Sequence, residues 1–351
     1  MTDDILFERQ GAAGIVTLNR PQALNAVSHD MVLAMRGQLD AWADDPAITR
    51  VVIRANGDKA FSAGGDIRAL YDLGKAGQYG KALQFWRDEY PLNAVIKNYR
   101  KPYVALIDGL VMGGGAGVSL HGSHRVAGDR FQFAMPEVGI GFFPDVGATW
   151  FLPRMPGELG TYCGLTGERF AVADGVAAGV ATHFIPSRRF PALIDGLSGT
   201  VSVDAVLAAF AEPAGAGPIM QRKPAIDRLF AGDRVEDIFA ALEREAQGSG
   251  EHAEWAENTA AVMRRKSPLS LKLALAQVRR GAGLDFAACM RTEFRIVSRV
   301  IHGHDFYEGV RAVIVDKDND PRWDPPALDR VSAAEVERHF ASLAGDELDV
   351  T

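Results

Sequence analysis

The chain has 351 residues, 47% apolar and 24% charged, with a net charge of −7. That balance describes an ordinary globular protein without the basic face that nucleic acid or an anionic membrane requires. Its two cysteines, Cys163 and Cys289, stand too far apart to suggest a zinc site or disulfide framework.

The start, MTDDILFERQ, is acidic and lacks both an apolar h-region and an arginine-rich amphipathic pattern. With an Ala/Gly/Arg-rich composition of bacterial type, it leads to the expectation of a cytoplasmic protein. GIVTLNR (14–20) and RVVIRA (50–55) are β-branched runs of strand length. Between them Met31, Met35, Leu39 and Trp42 recur at helical spacing behind Ser28, a suitable N-cap. FSAGGDI (61–67) runs from glycines into a helix. PYVALIDG (102–109) reads as a strand, Gly113, Gly114 and Gly115 open another helix, and two short strands fall within 124–134. The apolar stretch YVALIDGLVMGGGAGVSL contains Asp108 and five glycines, so it reads as a strand entering a helix and not as a membrane span. From about 220 to 315 only helical patterns occur. The fold class is therefore α/β, with a core over 1–195 and a helical C-terminal region over 196–351 packed on it.

Three stretches carry chemistry. Glycines before a helix let a backbone approach a ligand closely and leave N–H groups free for an anion. Two such clusters, at 61–67 and 109–122, allow a pair of N–H donors to converge on one oxygen, the requirement of an oxyanion hole. The third stretch, FAMPEVGIGFFPDVG, sets Glu137 and Asp145 directly after prolines and among aromatic residues. Desolvation there raises a carboxyl pKa towards neutrality, and two nearby acids can divide protonated and ionised roles. Equally, Glu137 can cap a turn and Asp145 a helix. His121 and His124, like His302 and His304, have no acid or cysteine at ligand spacing, and read as surface or helix-end residues.

Taken together, LNRPQALNAV (18–27), FSAGGDI and GLVMGGGAGVSL resemble the three signature regions of the crotonase (enoyl-CoA hydratase/isomerase) superfamily. RDEYPLN (87–93), FLPR, SPLSLKLAL (267–275) and HDFYEGVRAVIVDKDNDPRWDP (304–325) extend the likeness over nearly the whole chain and point to its thioester-hydrolysing branch. The resemblance implies a spiral of repeated ββα units and a short 3-hydroxyacyl-CoA substrate, with no metal or redox cofactor. It implies backbone donors at Gly65 and Gly114, catalytic carboxylates at Glu137 and Asp145, and a substrate-pocket acid at Glu89. Ala63, Asp66 and Ile67 would line the adenine and pantetheine track through main-chain contacts, and Arg68 would meet a phosphate. Gln22 stands where the superfamily often has lysine. Gly117 stands where hydratases have a second glutamate, which places a hydratase/isomerase second to a hydrolase. A non-catalytic acyl-CoA-binding protein is a further alternative, and a homotrimer and a monomer are both compatible with the family pattern.

Overall fold

The computed structural model describes residues 3–350. It divides into two compact units, each assembled from separated stretches of chain. The first takes the residues up to Asp66, Asp88–Ala134 and Arg169–Met220. The second takes Ile67–Arg87, Met135–Glu168 and the residues from Gln221 on.

The first unit holds both sheets. Ten strands occur among the described residues: β1 (Ile5–Gln10), β2 (Ala13–Leu18), β3 (Arg50–Ala55), β4 (Ala60–Ser62), β5 (Tyr103–Ile107), β6 (Leu110–Val111), β7 (His124–Ala127), β8 (Gln132–Phe133), β9 (Phe170–Ala171) and β10 (His183–Phe184). Six form one sheet in the order β1-β2-β3-β5-β7-β10, and four form another in the order β4-β6-β8-β9. Only β1/β2 and β8/β9 pair antiparallel. The parallel pairing explains the continuous apolar runs VVI in β3 and YVALI in β5, since such strands are covered on both faces. The core holds Ile15, Val52, Val104, Leu106 and Val126 against Leu193, Leu197, Val206 and Leu207 of helices Phe190–Ser198 and Val203–Phe210. Helix His29–Asp44 buries Met31, Met35, Leu39 and Trp42, the face read from their spacing, and the Ser28 side chain accepts from the Met31 N–H as its cap.

The second unit is helical. Every residue of helix Leu159–Thr166 is buried, and Ala253–Arg264 and Pro268–Gly281 pack against it. Helices Phe286–Val300 and His304–Val310 follow, each with an apolar face turned inward. No helix among the described residues is long and apolar enough to cross a membrane.

Candidate active site

In the first unit, β4 and β6 lie side by side and parallel, pairing Ala60 with Leu110 and Ser62 with Val111. Parallel neighbours end at the same edge, so the glycines that follow each strand emerge together. The Met112 N–H donates to the Ser62 carbonyl at 3.1 Å, which extends the register to the second glycine cluster. Gly64 has φ +114°, a conformation open to glycine and strained for other residues. Gly114 needs its missing side chain for a different reason. A Cβ there would lie 2.7 Å from Glu89 Oε1 and 3.1 Å from the Gly65 nitrogen. The structure thus brings Gly65, Gly114 and Glu89 together. Among the described residues neither the Gly65 N–H nor the Gly114 N–H donates to a protein acceptor. Two adjacent unbonded amides can bind an oxygen that gains negative charge.

Glu89 is 1% exposed and lies in helix Tyr79–Lys97, one turn before Asn93. Asn93 is fully buried, and among the described residues neither its Oδ1 nor its Nδ2 has a hydrogen-bond partner. Its spacing of four from Glu89 puts both on one helix face, a signal present in RDEYPLN but read only for Glu89. Ala63 and Asp66 sit beside the glycines, and their N–H groups donate to Leu24 and Val27 carbonyls at 2.9 Å. Main-chain contacts with a ligand there fall to carbonyl oxygens. The Asp66 carboxylate pairs with Arg20 at 2.8 Å. The segment following the glycine helix is buried throughout, and His121 with it at 5% exposure, so the surface reading of that histidine is corrected.

The second unit holds the two acids. Glu137 opens the 3-10 turn Glu137–Ile140, which closes at Gly141 with φ +68°. Phe142 and Phe143 follow, and Phe142 lies 5.7 Å from the Trp86 ring and 5.6 Å from the Phe306 ring. Glu137 is 7% exposed and Asp145 5%. Glu137 Oε2 has no protein hydrogen-bond partner among the described residues. Burial pushes the Glu137 carboxyl well above the usual range and the Asp145 charge pushes it further, with Lys266 opposing. Such an environment keeps a carboxyl protonated to higher pH than a solvated glutamate. Asp145 is not the cap of the helix after it: Gly147 holds that position for Ala148–Phe151. Between them, Val146 has φ +53°, a left-handed conformation that costs a β-branched residue about 1–2 kcal/mol.

Three residues of the second unit that the sequence did not mark surround these acids. Gln277 donates from Nε2 to the Pro144 carbonyl. Glu293, fully buried, accepts from the Gly147 and Thr149 N–H groups at 2.8 Å each. Lys266 lies so near the Glu137 turn that a Cβ on Gly139 would meet its Nζ at 3.1 Å. Also in this unit, Ile67 begins helix Ile67–Lys75 and is half-buried, while Arg68 is exposed and paired with Asp72 at 3.1 Å. No cluster of three or more His, Cys, Asp or Glu side chains suited to a metal ion occurs among the described residues.

The profile of the Enoyl-CoA hydratase/isomerase family matches residues 13–340. A mitochondrial 3-hydroxyisobutyryl-CoA hydrolase of Danio rerio is 43% identical, over 99% of this chain and 91% of that protein. The mitochondrial protein of the same name from Homo sapiens is 38% identical, over 99% and 90%. Among solved structures, a carnitinyl-CoA dehydratase from Mycobacterium thermoresistibile superposes with a TM-score of 0.93 at 40% identity, over 99% of both chains. An enoyl-CoA hydratase from Rhodobacter sphaeroides gives 0.92 at 38% identity, over 99% of this chain and 100% of that one. The crotonase-like architecture inferred from the motifs is the one these structures share. The cytoplasmic expectation is overturned, because the vertebrate relatives are named as mitochondrial and point to the mitochondrion.

Proposed function

The chain belongs to the enoyl-CoA hydratase/isomerase family, and from that premise we propose that it hydrolyses 3-hydroxyisobutyryl-CoA to 3-hydroxyisobutyrate and CoA, a step of valine breakdown. The substrate is that named by relatives 38–43% identical over nearly their whole length. The observation that carries hydrolysis over hydration is the placement of acids. Helix Gly113–Gly117 is built of glycine and alanine alone, so it offers no glutamate, and the paired carboxyls come from positions 137 and 145. Water addition to a double bond relies on two positioned acids, and losing one such group costs roughly 10²–10⁴ in rate.

In this reading the Gly65 and Gly114 amides take the thioester oxygen as it becomes an oxyanion. Glu137 either attacks the carbonyl carbon, forming an anhydride as the C–S bond breaks, which water then cleaves to the free acid and the regenerated carboxylate, or removes a proton from the attacking water. Asp145 delivers the proton to the departing thiolate or holds the substrate hydroxyl. Glu89 faces the acyl group, carbonyls of Ala63 and Asp66 with the backbone of Ile67 meet the nucleotide end, and Arg68 meets a phosphate. The reaction needs no cofactor, since water is the co-substrate.

Release of free CoA from 3-hydroxyisobutyryl-CoA, followed with a thiol reagent, tests the assignment. Turnover that falls by about 10³ in E137Q supports it. Equal CoA release by E137Q and wild type rejects it. The names of the two superposing structures favour hydration as the second reading, and absorbance loss on crotonyl-CoA measures that activity directly. Single turnover in ¹⁸O water separates the two roles of Glu137. Label in its carboxyl marks the anhydride, while labelled product with no hydroxylamine-trapped acyl group marks the base.

A further inference from the structure

The turn that follows Asp145 is held in an unfavourable backbone conformation. Val146 lies at φ +53° and Gly147 at φ +92°. Strained residues of this kind persist only where surrounding structure over-determines them. Here the surroundings come from two helices distant in sequence. Gln277 of Pro268–Gly281 holds the Pro144 carbonyl on one side of Asp145. On the other side Glu293 of Phe286–Val300 takes the Gly147 N–H on Oε2 and the Thr149 N–H on Oε1, both at 2.8 Å.

Glutamate is an adverse choice for a site where it is fully buried and repelled by the Asp145 charge. What it offers is two acceptor oxygens set one carboxyl width apart. A carboxyl can accept on both oxygens whether ionised or protonated, whereas an amide accepts on one and turns a donor towards the other N–H. We propose that Glu293 is a positioning residue of the reaction: its carboxyl pins the Gly147 and Thr149 amides and thereby fixes the strained turn that sets Asp145. The inference rests on Asp145 taking part in the hydrolysis described above.

The experiment compares wild type, D145N, E293Q, V146G and E293Q/V146G, with I296V as a buried control on the same helix. E293Q is expected to lower kcat about 100-fold, the scale of a misplacement near 1 Å, with KM changed by less than about 3-fold. Hydrogen exchange in the peptide spanning Gly147 and Thr149 should accelerate in E293Q and stay slow in I296V. Glycine at 146 removes the left-handed strain, so E293Q/V146G should recover at least about 10-fold of the lost kcat. A kcat in E293Q within about 3-fold of wild type overturns the proposal, as does unchanged exchange or a double variant no better than E293Q. Should E293Q be insoluble, the double variant decides alone. A soluble, active E293Q/V146G supports the clamp, and an insoluble or inactive one overturns it. Full activity in D145N sinks the catalytic reading of Asp145, while exchange at Gly147 and Thr149 still reports separately on the clamp.

Discussion

Gly114 stands so close to Glu89 that a single methyl group on it would lie 2.7 Å from the carboxyl Oε1, and 3.1 Å from the nitrogen of Gly65. The absence of a side chain at 114 therefore sets how near a buried acid and two backbone donors can be to one another. G114A should fold but lose about 10²–10³ in kcat/KM, because the added methyl displaces one donor of the pair. The check is CoA release alongside a circular dichroism melt. Loss of activity with an unchanged melt is the expected pattern, and full activity would remove the amides from the chemistry.

The raised pKa of Glu137 predicts a pH profile. Burial, then the Asp145 charge, holds its carboxyl protonated into a range where most glutamates are ionised. Acting as base or nucleophile it must be ionised, so kcat/KM should rise with pH along a limb lying above the ordinary carboxylate range. Lys266 opposes the shift. K266M removes that cation, and the limb should move to higher pH. A limb that stays in place in K266M, or that moves down, would contradict the assignment of Glu137.

Phe142 follows the Glu137 turn, is 2% exposed, and stacks at 20° to Trp86 with the Phe306 ring 5.6 Å away. F142A should cost about 3–5 kcal/mol of stability, read from urea unfolding. In the fraction that remains folded, water reaching the acids should move the acidic limb of the profile downwards. An unmoved limb would mean that other groups keep Glu137 dry.

Glu293 gives a prediction for stability against pH. Burial raises its pKa from 4.5 to about 8, outweighing the two amide donors. A pKa raised by folding contributes stability that is complete below the unfolded value and is lost as pH climbs through the folded one. Across pH 4.5 to about 8 the wild-type Tm should therefore fall more steeply than that of E293Q. Parallel melting curves for the two proteins would show that Glu293 keeps an ordinary acidity.

Much of this was legible in the sequence, for physical reasons that differ by element. β3 matches RVVIRA residue for residue, because a buried parallel strand is a bounded β-branched run and needs no partner to be recognised. The buried face of helix His29–Asp44 was visible in its spacing, and the burial of Glu137 and Asp145 in the prolines and aromatics around them. β4 and β6 have three and two residues, too few for a pattern, so the pairing that sets Gly65 beside Gly114 is a long-range fact. Glu293 lies in TEFRI on an amphipathic helix, where an acid normally marks the solvated side; nothing local says that Thr292, Glu293 and Phe294 are all buried. Gln277 and Lys266 were hidden in the same way, because their role comes from what packs against them. The cytoplasmic expectation came from the acidic N-terminal stretch and the composition, and the relatives named as mitochondrial overturn it.

The turn carrying Glu137 is seated on chain made much later. A methyl on Gly141 would strike the Asp305 carbonyl at 2.0 Å, and the Ser267 N–H reaches back to Val138 at 3.2 Å. Both acids are thus translated long before the helices that dry and aim them. On the proposed role of these acids, a ribosome-bound or prematurely terminated fragment ending ahead of Ser267 should carry its carboxyls wet and release no thiol. In that reading competence is acquired late, as a property of the finished polypeptide.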